Sequence, residues 1–105
     1  MAADRRQRIE NMLRDAPDDA ELRYMLAMEY VSEGNDEDAV KRFQEVFELS
    51  PDYAPAYHQG GRALQRLNRV DEARDVLLRG IAAARMTGND HAAGEMQELL
   101  ENLLQ

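Results

Sequence analysis

The chain has no cysteine and no tryptophan, and its 105 residues include only three prolines, six glycines and two histidines. The absence of cysteine removes disulfides, thiolate metal sites and a Cys nucleophile together. The shortage of Pro and Gly argues against a disordered or all-β chain. With only four Tyr and two Phe as aromatics, the core must be filled by Ala, Leu and Met. No run approaches the roughly 18 apolar residues that a membrane span requires. The start, Met1 to Arg8, leads into no apolar h-region, so no secretory signal is expected and the expected location is cytoplasmic. The length suits one compact domain.

Basic surface is also scarce. The net charge of −8 disfavours nonspecific nucleic-acid binding, because phosphate neutralisation needs Lys and Arg in excess. The charge is banded. Residues 1–14 hold four Arg against Asp4 and Glu10, whereas residues 15–52 hold twelve acids against Arg23, Lys41 and Arg42. Residues 53–85 hold six Arg against Asp71, Glu72 and Asp75, and residues 86–105 hold four acids alone. A basic band thus lies inside an acidic molecule.

What the chain does have is a repeat. Leu26, Ala27, Tyr30, Ala39, Phe43 and Pro51 alternate large and small at helical spacing, and 34 residues beyond Ala27, Tyr30, Ala39 and Phe43 stand Gly61, Leu64, Ala73 and Leu77. A fixed period of this length is the mark of stacked helical units. Apolar residues at i, i+3, i+4 and i+7 place helices at about 3–15, 19–32, 36–49, 53–67, 70–86 and 90–104. Pro17 and Pro51 close two of them, since the residue before a proline is pushed out of the α region. Asp18 or Asp19 can cap the second helix. Gly34-Asn35 supplies a left-handed turn, Asn68 occupies the equivalent place, and Thr87-Gly88-Asn89 makes the last turn. The short links make neighbouring helices antiparallel. The expectation is an all-α chain of about six helices, built from antiparallel helix-turn-helix repeats.

A 34-residue unit with Leu26, Ala27 and Tyr30 in one helix, Ala39 and Phe43 in the next, and Pro51 after it resembles the tetratricopeptide repeat. The second unit keeps Tyr57, Gly61, Leu64, Ala73 and Leu77 but has Gly60 where Leu is usual and Arg85 where Pro is usual. The resemblance implies an α-solenoid with a right-handed superhelical stack. It divides the chain into a half-repeat over 1–18, repeats over 20–53 and 54–87, and a capping helix over 88–105. Small residues at Ala27, Ala39, Gly61 and Ala73 allow antiparallel helices to approach closely. Losing Pro at Arg85 lets the last repeat helix run longer.

The same resemblance implies a groove lined by the first helix of each unit, holding a peptide or a partner segment. Matched positions give Tyr24, Met28 and Val31 as an apolar half, and His58, Arg62, Gln65 and Arg66 as a basic half. Helical geometry puts His58, Arg62, Gln65, Arg66 and Arg69 on one arc of roughly 100°. Such a surface suits an acidic-apolar segment, because Arg pairs bidentately with carboxylate. The competing readings are that these Arg are a solvated face paired with nearby acids, and that the first helix covers Tyr24, Met28 and Val31. The pattern of Lys and Asn with which some family members clamp a terminal carboxylate is not reproduced, since Met25, Met28, Gln59 and Arg62 stand at those positions.

Catalytic, cofactor and metal sites are not expected. His58 and His91 lack metal-ligand spacing, and Asp36-Glu37-Asp38 lacks the alternating ligand ladder of a calcium loop. Gly60-Gly61 has no Lys-Ser or Lys-Thr after it and lies within a helix, so it is no phosphate loop. The leading functional reading is a non-enzymatic adaptor that binds a protein segment. The second is a self-associating scaffold, a homodimer through Leu99, Leu100, Leu103 and Leu104; a noncatalytic subunit of a larger assembly shares the adaptor chemistry.

Overall fold

The computed structural model describes residues 2–103, with side chains from Asp4 onward. The described residues form six α-helices: α1 (Ala2–Asp15), α2 (Ala20–Ser32), α3 (Asp36–Leu49), α4 (Ala54–Arg66), α5 (Val70–Met86) and α6 (Asp90–Leu103). Within the described residues, each helix end lies within one residue of the place expected from the apolar period. Local chemistry explains this agreement. The Asp19 carboxylate accepts from the Leu22 N–H at 3.0 Å, and the Asn35 side chain accepts from the Asp38 N–H at 3.2 Å. Asp36, Glu37 and Asp38 crowd the first turn of α3, where the helix dipole favours anions. Gly34 and Asn68 close α2 and α4 with φ of 76° and 60°. The following N–H groups, of Asn35 and Arg69, return to the carbonyls of Tyr30 and Leu64 at 2.9 Å.

Each helix packs on the next in sequence, and α4 also reaches α6. Ala27 and Ala39 are fully buried where α2 meets α3, as the small–small pairing requires. The consecutive glycines of α4 serve two partners. A Cβ on Gly60 would stand 3.2 Å from the Phe47 ring of α3, and one on Gly61 would stand 2.6 Å from Leu77 Cδ2 of α5. Two residues about 100° apart on a helix face different neighbours, so α4 can close on both sides. The tightest approach is at Gly80 of α5, where a Cβ would lie 2.5 Å from Tyr57 Cβ and 2.6 Å from Met96 Sδ. Gly80 thus draws α4, α5 and α6 together; it stands 34 residues beyond Val46, where the first unit carries a larger side chain.

The large residues fill what the small ones leave. Phe43, Val46, Leu77 and Met96 are the largest fully buried side chains. Phe47 and Tyr57 stack with centroids 4.3 Å apart, Arg79 lies over both rings, and the Tyr57 hydroxyl donates to the Pro51 carbonyl at 2.7 Å. A second, smaller cluster of Ile9, Leu13, Leu22 and Leu26 joins α1 to α2. Helix α5 has 17 residues against 14 for α3, the lengthening expected where Arg85 replaces the repeat proline. The leucines behind the homodimer reading are mostly used inside the chain: Leu100 is buried, and Leu99 and Leu103 pack against the main core. Leu104 lies outside the described residues.

The glycines give a paired test. Gly80→Ala should lower stability by about 1–3 kcal/mol, because Tyr57 Cβ cannot retreat without moving α4. Gly94→Ala, which meets nothing within 4 Å on helical α6, should instead add about 0.4–1 kcal/mol. Urea unfolding of both variants reads the difference; similar midpoints would refute the close-approach argument.

Candidate functional site

The expected groove takes one row from α2 and one from α4, the first helices of successive hairpins, and α6 follows them in the array. Tyr24, Met28 and Val31 of α2 are half-buried and pack against the main core, outside the cluster beneath α1. The α1 cluster instead takes Leu22, Leu26 and Tyr30. The first helix therefore packs on a different face of α2 and leaves the three candidate residues partly open. Tyr24 is anchored by its ring, 6.0 Å from the Phe43 centroid and 5.3 Å from that of Tyr53. Burial, with Tyr53 adding to it, pushes the Tyr24 phenol above its ordinary pKa.

On α4 the basic row divides. His58 and Arg62 line a cleft of about 330 Å³ whose other wall is α6, through Glu95, Glu98, Leu99 and Asn102. Arg62 is exposed and has no carboxylate ion pair among the described residues. Arg66 points elsewhere: its guanidinium makes two hydrogen bonds, of 3.0 and 2.9 Å, to the Asp36 carboxylate at the start of α3. Arg69 is likewise paired, with Glu72 and Glu37. Gln65 is half-buried and stays on the row. The expected basic row is thus mixed in charge: Asp36 of α3 takes Arg66, and Glu95 and Glu98 of α6 line the same cleft as Arg62.

The expectation of a capping helix over 88–105 did not place Glu95 and Glu98 beside Arg62. Two extra residues enter the spacing between units, because α2 and α4 start 34 apart but α4 and α6 start 36 apart. With that shift, Ala93, Met96 and Leu100 take the buried places of Tyr57, Gly60 and Leu64, and Glu98 falls in the row of Arg62. The missing proline at Arg85 was the signal available for this. Among the described residues, no group of three His, Asp or Glu side chains is placed to hold a metal ion, and no helix is long and apolar enough to cross a membrane.

Antiparallel helix pairs stacked at a 34-residue period, with small residues at each crossing, define a helical-repeat protein. The comparisons with known proteins agree. Residues 30–103 match the tetratricopeptide repeat family, as do residues 1–55 in a second match. A TPR repeat-containing protein of Pseudomonas aeruginosa is 32% identical over 95 residues, which are 90% of each chain. A tetratricopeptide repeat domain protein from Salinibacter ruber, solved in solution, is 34% identical, covers 83% of this chain and 88% of that one, and has a TM-score of 0.77. PcrH, solved in complex with the chaperone binding region of PopD, shares the fold at 15% identity with a TM-score of 0.91, over 98% of this chain and 78% of that one. The chain belongs to the tetratricopeptide repeat family.

His58 provides a local probe of the cleft. Burial lowers its pKa below the ordinary 6.5, Glu95 opposes that shift and Arg62 adds to it. A depressed folded pKa means that the unfolded chain binds the proton more readily, so His58 contributes stability above about pH 6.5 that is lost as pH falls through the folded value. Imidazole NMR titration should place His58 below 6.5, with Glu95→Gln moving it lower and Arg62→Ala moving it higher. Insensitivity to both substitutions would contradict this geometry of the cleft.

Proposed function

We propose that this chain is a protein-interaction module that binds a segment of another protein along the row formed by α2, α4 and α6. The observation that carries the reading is that Tyr24, Met28 and Val31 stay partly open on α2 although α1 packs beside them. Half-buried aromatic and Met side chains on a rigid helix offer apolar contact area at small entropic cost. The complex of PcrH with a PopD segment supports the reading at the level of the fold.

The chemistry of the row describes the partner segment. Apolar anchors would rest on Tyr24, Met28 and Val31. One unit further on, a carboxylate would pair with Arg62, and Gln65 would offer an amide. A hydrogen-bond donor or a cation would meet Glu95 and Glu98, which line the same cleft as Arg62. The partner is therefore apolar with charges of both signs, rather than simply acidic. Arg66 contributes through its pair with Asp36, which ties α4 to α3 and holds the row in place. His58, mostly neutral at pH 7, serves as a hydrogen-bonding wall of the cleft.

Selection from a displayed peptide library against the wild-type chain tests the proposal. Peptides so recovered should lose at least tenfold in affinity toward a Met28→Glu, Arg62→Glu variant, since a desolvated charge and a like-charge contact each cost on the order of 1 kcal/mol or more. Equal binding to both chains would place the interaction elsewhere and end the proposal.

A further inference from the structure

At the other end of the array, α1 has no hairpin mate among the described residues: it packs on α2 and makes no comparable contact with another helix. In the first complete unit, α3 buries Ala39, Phe43 and Val46 fully. The residues 34 positions earlier on α1 are Arg5, Ile9 and Met12, and Met12 is 52% exposed. On α2, Met25 is 43% exposed. Together α1 and α2 border an open groove of about 260 Å³ lined by Arg5, Arg8, Ile9, Met25 and Glu29. Elsewhere in the array a first-type helix fills the equivalent seat, as α4 does by packing against both α5 and α6.

The rim of the groove carries its own charge pattern. Arg5 is held by Glu29 at 3.1 Å, but Arg8 donates only to the Asp4 carbonyl and has no carboxylate partner among the described residues. This end of the chain is basic within a molecule of net charge −8. A second copy fits poorly. Two such grooves face to face would oppose Arg8 to Arg8, and α6 offers Gly94, Glu98 and Glu101 outward while its apolar stripe of Ala93, Met96 and Leu100 is buried in its own chain.

We infer that the groove between α1 and α2 docks an acidic amphipathic helix of a partner protein. Its apolar face covers Ile9, Met12 and Met25, and its flanking carboxylates meet Arg8 and share Arg5 with Glu29. This surface is separate from the row of Tyr24, Met28 and Arg62, so two segments can bind at once.

The methionines report the two surfaces independently. In the full chain labelled with ¹³C at the Met methyls, Met25 reads the groove, Met12 reads the face of α1 one turn beyond Ile9, Met28 reads the α2–α4 row and Met96 reads the core. The probe is a synthetic helix of about 18 residues, long enough to hold helical structure in water, with Leu at i, i+3, i+4 and i+7 and Glu on both flanks. Titration should shift Met12 and Met25 while Met28 and Met96 stay in place. Arg8→Glu should weaken binding roughly fivefold, as expected for one exposed ion pair lost and a like charge gained. Replacing the peptide's Glu with Lys should weaken it further. Four results would overturn the inference: no shift at Met12 or Met25, shifts at Met28 alone, equal binding of the Lys peptide, or Met12 and Met25 shifts that follow protein concentration without peptide. The last would assign the groove to a second copy.

Discussion

Helices can stack at this spacing only where side chains give way to backbone, and the structure depends on a few such places. Ala27 and Ala39 are fully buried in the first hairpin, Gly61 against Leu77 closes the second, and Gly80 brings Tyr57 and Met96 against the backbone of α5. Each glycine inside a helix costs about 1 kcal/mol of propensity relative to Ala. That cost is offset when the approach lets Phe43, Leu77 and Met96 lose their water, since burying a large apolar side chain contributes about 1.5–3 kcal/mol. The direction of the whole array follows from these contacts. With α4 held on one side by Gly60 and on the other by Gly61, the row that faces outward can only be the one bearing His58, Arg62 and Gln65.

Charge acts at a second level, by selecting which cations remain available. The acidic first turn of α3 takes up Arg66 through Asp36 and Arg69 through Glu37, and Arg23 of α2 reaches Glu45. Such exposed pairs contribute little stability each, about 0–1 kcal/mol. Their larger effect is on recognition, because a guanidinium already bonded to two carboxylate oxygens has little left to offer a ligand. Arg62 and Arg8 escape this pairing, and they stand on the two surfaces that the fold leaves open.

The helices, their caps and their turns were legible because each depends on signals within one turn of the chain. Asp19, Asn35, Gly34 and Asn68 act on their own neighbours, so their roles survive any tertiary arrangement. Gly61 was legible too, as a small residue at a repeat crossing, whereas Gly60 stood out only as a departure from the usual Leu. Gly80 was not legible, because its counterpart 34 residues earlier is the larger Val46 and its partners Tyr57 and Met96 come from helices on either side. The candidate site was legible as a list of positions but not as a set of charges. Reading Arg62, Arg66 and Arg69 as one basic arc held for Arg62 and Arg66 but not for Arg69, which lies past the Asn68 turn at the start of α5, and it was silent about Asp36 and Glu37, some 30 residues away.

The sequence by itself determined the family, the number and limits of the helices, and the face that each one buries. Those follow from spacing along one chain, where 3.6 residues per turn converts order into direction. Only the tertiary structure decided that Arg66 is spent on Asp36, that Glu95 and Glu98 stand opposite Arg62, and that α1 leaves Met12 and Met25 uncovered. These depend on the phase between helices. Two extra residues before α6 shift that phase and bring Glu98 into the row of Arg62, although the period within each helix is unchanged.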